Sequence, residues 1–221
     1  MPALLAPIEK QRKQPTQARS AVTVDAILQA CLQVLTAVGK EKLTTTLVAH
    51  RAGVSVGTLY QYFPNKRSLL QAVLRKHLTH VTELFEHACD TQHGKPLCEM
   101  ITTIATTFFR AKMQDPKAGL ALYSVSSDVD GLRITEDLRI RQEAAFTRVL
   151  TSSPEKLTVD PAVAGFAFQS TMIGVARRIL EARIPAREHA ALHAEMITML
   201  CAYAATISRP AATEQQPSNR K

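Results

Sequence analysis

Between Thr44 and Lys66 the chain reads TTTLVAHRAGVSVGTLYQYFPNK, and its hydroxyls, small residues and lysine fall at spacings suited to contact with a nucleic-acid duplex. Ser55 and Thr58 carry hydroxyls that donate or accept. Val56 and the Thr58 methyl group can pack on a thymine methyl, so these three residues are the candidates for reading base edges. Gly57 between them allows a close backbone approach. Tyr60 and Tyr62 flank the segment with hydroxyls placed for phosphates. Lys66, and Thr44 with Thr45, stand at predicted helix starts, where backbone N–H groups and the helix dipole favour anions. This is recognition chemistry. No G-x-S-x-G, Gly-rich phosphate loop or H-E-x-x-H occurs, so neither an enzyme nor a cofactor is expected.

Two short helices and a tight turn must hold these side chains. Thr44 is a predicted N-cap, Val48, Ala49 and Ala52 share one helical face, and Gly53 stands where a positive φ ends the helix. Ser55 can cap the second helix, with Leu59 and Phe63 facing inward. Ala49, Gly53 and Leu59 lie four and six residues apart, giving a small residue at the crossing and a glycine in the turn. That is the pattern of a helix-turn-helix, whose second helix presents its N-terminal side chains to the major groove.

These residues resemble the signature of the TetR family of bacterial transcriptional regulators. The resemblance is carried by Thr44, Val48-Ala49, Ala52-Gly53-Val54-Ser55, Gly57-Thr58-Leu59-Tyr60, Tyr62-Phe63-Pro64-Asn65-Lys66 and Leu69-Leu70, and it covers roughly residues 20 to 75. The DNA-contact assignments follow the family pattern position by position. One departure is Val56, where a basic residue is common. The resemblance implies a homodimeric, ligand-responsive regulator, usually a repressor, which a small lipophilic effector releases from a pseudo-palindromic DNA operator. The effector would favour a dimer whose recognition helices are wrongly spaced, with the fourth helix transmitting the change.

Charge agrees with a polyanionic partner. Through Arg67 there are nine basic residues against three acidic ones, an excess of six out of a net +8. Cys31, Cys89, Cys98 and Cys201 lie far apart in apolar helical contexts and read as reduced core thiols of a cytosolic protein. The start MPALLAPIEKQRK reverses the order of a secretory signal, and the uncharged run 161–176 is too short and polar to span a bilayer. A soluble cytoplasmic protein is expected.

Periodicity predicts an all-α fold of about nine helices, an N-terminal helix-turn-helix domain followed by a C-terminal bundle. A flexible basic arm occupies 1–19 and the DNA-binding domain 20–66. A ligand-binding and dimerisation domain fills 67–208, and a disordered tail 209–221. Helix 1 is predicted over 21–38, helix 4 from 66 to about 93, and later helices over 97–113, 117–126, 132–150, 161–183 and 186–207.

In the bundle, Ile104, Phe108, Phe109, Met113, Phe146, Phe166, Phe168, Gln169 and Met172 are candidates for an apolar pocket with a few polar groups, although ordinary core would look the same. Small residues on the last two helices, Ala167, Ser170, Thr171, Gly174 and Ala194 with Ile197 and Cys201, suit a four-helix dimer interface. A buried intramolecular face would show the same pattern. Two other readings keep the DNA-binding domain: a metal sensor built on His77, His80, His87, Cys89, His93 and Cys98, whose spacing matches no zinc pattern, and an effector-independent DNA-binding dimer. No metal ligand set is assigned.

Overall fold

The computed structural model describes residues 18–210, which fold as an all-α protein. The arm expected at 1–19 and the tail expected at 209–221 lie outside the described residues, save for their innermost positions. Among the described residues ten α-helices follow one another: α1 Ala18–Lys42, α2 Thr45–Ala52, α3 Val56–Tyr62, α4 Lys66–Thr91, α5 Leu97–Met113, α6 Pro116–Ser126, α7 Gly131–Ile134, α8 Glu136–Thr151, α9 Pro161–Glu181 and α10 Ala186–Thr206. A 3-10 turn, Ser127–Val129, fills the predicted break after α6. The tenth helix arises because the predicted segment 132–150 is interrupted at Thr135. There the Ile134 carbonyl accepts from the Arg75 guanidinium, and Thr135 Oγ1 donates to the Gly131 carbonyl at 2.7 Å. Among the described residues the one extended pairing is short, Lys156–Leu157 antiparallel to Ser208–Arg209.

The described chain forms two compact units. The first comprises 18–82 with Lys112–Ile140, the second Glu83–Ala111 with 141–210. This division differs from a split at residue 66, for a reason that no local pattern carries. Leu122 and Val125 of α6, Val129 of the 3-10 turn and Ile134 of α7 are buried in the same core as α1 to α3 and the start of α4. That core takes Val24, Ile27, Leu28, Cys31 and Leu35 from α1, the stripe read from the sequence. Burying each such side chain contributes on the order of 1.5–3 kcal/mol. By length and composition Ser20–Lys42 could cross a membrane, but Ile27 and Cys31 are fully buried in this core, as in a core helix.

Polar bonds fasten the α6–α7 turn to the helix-turn-helix. Lys40 Nζ donates to Asp128 Oδ2 at 2.7 Å, and the Arg67 guanidinium donates to the Asp128 carbonyl and to Asp130. Gln71 Nε2 donates to the Val129 carbonyl at 3.1 Å. Gly131 completes the turn because nothing larger fits: a Cβ there would lie 2.8 Å from the Ser126 carbonyl oxygen and 3.0 Å from Leu74 Cδ2.

The second unit is centred on aromatic rings. Phe85 meets Phe108 and Phe146 edge-on at 6.4 and 5.4 Å between centroids, Phe146 lies 6.1 Å from Phe168, and Phe168 lies 5.2 Å from Tyr203. Cys98 of α5 and Cys201 of α10 form a disulfide, which corrects the expectation of four reduced thiols. Periodicity placed both residues on helices but could not show that the two helices meet. Cys31 and Cys89 remain buried thiols, both pushed up to about 12 by desolvation, so they are poor nucleophiles.

Candidate nucleic-acid interface

The interface is built from caps. Thr44 accepts the Leu47 N–H at 3.2 Å and starts α2; Gly53, at φ 68°, ends it and donates back to the α2 carbonyls. A left-handed conformation there strains any residue with a Cβ. Ser55 then accepts the Thr58 N–H at 3.0 Å and starts α3. Val48, Leu59 and Phe63 are fully buried and Ala49 almost so, anchoring both helices. The opposite side of α3 is left at the surface: Ser55 and Gly57 are exposed, Val56 is 36% and Tyr60 39% exposed, and Thr58 is half-buried.

Hydroxyl pairs order this face. The Ser55 and Thr58 hydroxyls lie 2.8 Å apart, and Thr45 Oγ1 lies 2.9 Å from Tyr60 Oη, which ties the first turn of α2 to α3. Thr44, Thr45, Ser55, Val56, Gly57, Thr58 and Tyr60 are therefore brought to one surface. Gln61, exposed beside Tyr60, belongs to the same helix and was passed over in the sequence. Its amide can donate and accept together, as adenine recognition requires; its place next to an outward tyrosine was the available signal.

Two assignments change. Tyr62 is 6% exposed and part of the core, so it is removed from the phosphate-contacting set. It stands three residues after Leu59, which puts both on the inner face of α3. Lys66 does not simply extend into solvent: its Nζ donates to the Lys40 carbonyl at 2.7 Å and links the start of α4 to the end of α1. An ammonium has three donors, so this bond positions the charge without exhausting it. Lys66→Ala is expected to lower the stability of the first unit and to weaken binding to all duplexes alike, reducing the salt slope by about one. Titrations at several salt concentrations check this, and an unchanged slope would leave the lysine a structural role alone.

Gly57 allows a cleaner test. A Cβ there would meet only Ser55 Oγ at 3.7 Å, an ordinary contact. Gly57→Ala is expected to raise helix stability by up to about 1 kcal/mol. If the backbone lies against the groove, the same substitution lowers affinity for a preferred duplex by about tenfold, on the order of 1.4 kcal/mol. Melting curves and fluorescence anisotropy measure the two effects separately; unchanged affinity removes Gly57 from the interface.

Elsewhere the predicted sets fare differently. Ile104, Phe108, Phe109, Phe146, Phe168 and Met172 are buried in the second unit, and Gln169 is buried with its Nε2 lacking an acceptor. They pack as core. Met113 falls in the first unit, and Phe166 is 66% exposed, so neither joins them.

A small cavity of about 50 Å³ instead opens in the first unit, between α4, the end of α5 and α6. Leu74, His77, Leu78, Lys112, Gly119, Leu122, Tyr123 and Ser126 line it. Lys112 is 8% exposed; burial pulls it down to about 8, and its Nζ lies 5.6 Å from the centre of the Tyr123 ring. His77 is pulled down to about 4, first by burial and then by the charges of Lys112 and His80, with Asp115 opposing, so it is neutral at pH 7.

On α9 and α10, Ser170, Gly174 and Ala194 are exposed, and Ala167, Thr171 and Ile197 are half-buried. Cys201 drops out of this outward set because its sulfur bonds Cys98 of α5. Among the described residues no three His, Cys, Asp or Glu side chains converge to hold a metal ion. Cys98, one of the six residues of the metal-sensor reading, is in the disulfide, and nothing among the described residues favours that reading.

Comparison with known proteins follows the same outline. Residues 27–73 match the family described as "Bacterial regulatory proteins, tetR family", and residues 96–203 match "Tetracyclin repressor-like, C-terminal domain". The chain is 44% identical over 55 residues to the tetracycline repressor protein class C of Escherichia coli, covering 25% of each. It is 34% identical over 90 residues to the HTH-type transcriptional repressor KstR of Rhodococcus jostii (strain RHA1), covering 41% of each. The match thus spans between a quarter and about two-fifths of the length of these curated relatives. In fold, a crystal structure assigned to TetR-family regulators from Mesorhizobium loti MAFF303099 superposes with a TM-score of 0.73 at 18% identity, covering 87% of this chain and all of that one.

Proposed function

The chain belongs to the TetR family of bacterial regulatory proteins, and from that premise we propose that it is a sequence-specific DNA-binding repressor, homodimeric and released from a pseudo-palindromic operator by a small-molecule effector. The observation that carries the reading is the outward N-terminal half of α3. Its first turn is fixed by the Ser55 cap and the fully buried Leu59, and it leaves Ser55 and Val56 exposed and Thr58 half-buried, where a duplex would meet them. The excess of basic residues through Arg67 supplies the sequence-independent attraction to phosphate. Such a protein works in the cytoplasm, beside its DNA.

Dimerisation is supported by an apolar face. Val163, Phe166 and Ile173 of α9 are 61%, 66% and 41% exposed, Met199 of α10 is 52% exposed, and these two helices also expose several alanines. A Cβ at Gly174 would meet nothing within 4 Å, so the subunit itself does not require a glycine there. A partner helix approaching closely would. One helix per groove gives modest affinity, and two half-sites about one helical turn apart supply the rest.

Effector control is supported more indirectly, by the cavity between α4 and α6. It adjoins the turn that clamps Lys40, Arg67 and Gln71. A ligand that binds better to one arrangement of that turn shifts the equilibrium of the helix-turn-helix attached to it.

The test is selection of duplexes from a random library, followed by anisotropy titration of the winner and a scrambled control. Selective binding by about a thousandfold or more, at two spaced half-sites, is the expected result. Equal affinity for both duplexes across salt concentrations would overturn the reading.

A further inference from the structure

The disulfide between α5 and α10 stands at the surface, unlike the other two cysteines. Cys98 is exposed and Cys201 half-buried, whereas Cys31 and Cys89 are 0% and 2% exposed. A small thiol or peroxide in solution can therefore reach the Cys98 sulfur and not the buried pair. The Cα atoms of Cys98 and Cys201 are 5.2 Å apart, within the roughly 4.4–6.8 Å that a bond requires, so the sulfurs meet without movement of either helix. Thr102, one turn along α5, has its Oγ1 3.5 Å from the Cys201 sulfur. Its hydroxyl can donate to a thiolate left there.

The bond also occupies a joint. The start of α5 and the end of α10 both meet the 152–158 segment, which leads from α8 to α9. The Leu97 N–H donates to Glu155 Oε2 at 3.1 Å, and the Gly94 N–H to Ser152 Oγ at 2.9 Å. Thr158 donates twice to the Ile207 carbonyl, from its N–H at 2.7 Å and its Oγ1 at 3.0 Å, and Ser208–Arg209 pairs with Lys156–Leu157. These ties are hydrogen bonds at a helix end, where structure frays first. The disulfide adds a covalent one, and all of these groups lie within the second unit.

Resting on the reading that α9 and α10 form the dimer face, we propose that Cys98 and Cys201 are a thiol–disulfide sensor whose substrates are hydroperoxides and small thiols, and that closing the bond tightens the dimer by fixing the end of α10. Oxidation begins when the Cys98 sulfur attacks a peroxide oxygen. The O–O bond breaks, the far oxygen leaves as water or an alcohol with the thiol proton, and a sulfenic acid remains. The Cys201 sulfur then attacks Cys98, the S–S bond forms, and the sulfenic oxygen leaves as water, carrying its own proton and that of Cys201. Reduction is exchange: a small thiolate attacks the exposed Cys98 sulfur, and Cys201 leaves as a thiolate beside the Thr102 hydroxyl and takes a proton from water. A second small thiolate attacks the mixed disulfide, which releases Cys98 and the oxidised small disulfide. A cytoplasm rich in glutathione keeps such a pair open, so an oxidant is the signal.

The coupling runs along α10. Met199 and Ala202, on either side of Cys201, are exposed on the face read as the dimer surface. Tyr203, two residues on, meets the Phe168 ring of α9 at 5.2 Å. Fixing Cys201 holds these neighbours in place before a partner arrives. An interface already ordered gives up less entropy on association.

For the test, full-length protein is reduced with dithiothreitol, freed of it without air, and divided; one part receives an equimolar amount of hydrogen peroxide. Alkylation with mass spectrometry reads the bond, sedimentation equilibrium the dimer, and anisotropy the affinity for the selected duplex. Peroxide should restore the Cys98–Cys201 bond, and reduced glutathione should open it in the folded protein. The oxidised form should dimerise about tenfold more tightly than the reduced form. In Cys201→Ser, dimedone should label Cys98 after peroxide; if that variant does not fold, the comparison of oxidised and reduced wild type carries the test. A bond that glutathione opens only in denaturant, or that peroxide does not restore, would overturn the sensor. Equal dimer dissociation constants in the two states would overturn its coupling to assembly. A monomer in both states would overturn the dimer reading and the coupling with it. Failure of both states to select a duplex would instead sink the DNA-binding reading, while the bond and dimer measurements still decide the sensor.

Discussion

Phe63→Ala is expected to destabilise the first unit by about 3–5 kcal/mol, a large part of the 5–15 kcal/mol typical of a whole domain. Phe63 is fully buried at the end of α3, and its N–H closes the helix by donating to the Leu59 carbonyl at 2.9 Å. Truncation removes the ring from the core that α3 shares with α1, α2 and α4, leaving a void that close-packed neighbours fill only in part. Denaturant melts followed by circular dichroism measure the loss. DNA binding should disappear with it, because α3 is held in place by this residue and Leu59. A variant of near-normal stability would mean that Phe63 is not the anchor described here.

Loss of the disulfide should rival that effect. Cys98 and Cys201 are 103 residues apart in sequence, and cross-linking a loop of that length restricts the unfolded chain. Cys98→Ser is expected to cost about 2–5 kcal/mol under oxidising conditions, near the 4.7 kcal/mol estimated for a 100-residue loop. In a chain of this size that lowers Tm by roughly 5–15 °C. The internal control is reduction: with dithiothreitol present, wild type and variant should melt together. Thiol titration of the denatured, unreduced wild-type protein should find two reactive groups, Cys31 and Cys89, and four after reduction. Four thiols without reduction would contradict the bond.

The helix-turn-helix was legible because its determinants are local. Thr44, Gly53 and Ser55 act on backbone groups within four residues, and all three do in the structure what their positions in the sequence imply. The all-α class followed for the same reason. Periodicity was also sufficient to place Tyr62, since three residues from Leu59 is one helical face, but the family pattern pulled it outward. Phe166 and Phe168 show the same lesson: two residues apart, one is 66% exposed and the other fully buried. What stayed hidden was non-local. The bond from Lys66 to the Lys40 carbonyl spans 26 residues and the disulfide 103, and the return of α6 to the first unit depends on a packing face with no short-range signature. The cavity was hidden for the same reason, being assembled from α4, α5 and α6 rather than from the aromatic residues that had looked like a pocket.

The central claim is that the first turn of α3 lies against base pairs. The most direct measurement is photo-crosslinking from position 56, with benzoylphenylalanine in place of the 36% exposed Val56, on the selected duplex. The same reagent at position 166 on α9 serves as control. Crosslinks from position 56 to bases inside each half-site, on the major-groove side and absent with scrambled DNA, are the expected result. Crosslinks from position 166 but none from position 56, on a duplex that the protein still binds selectively, would contradict it.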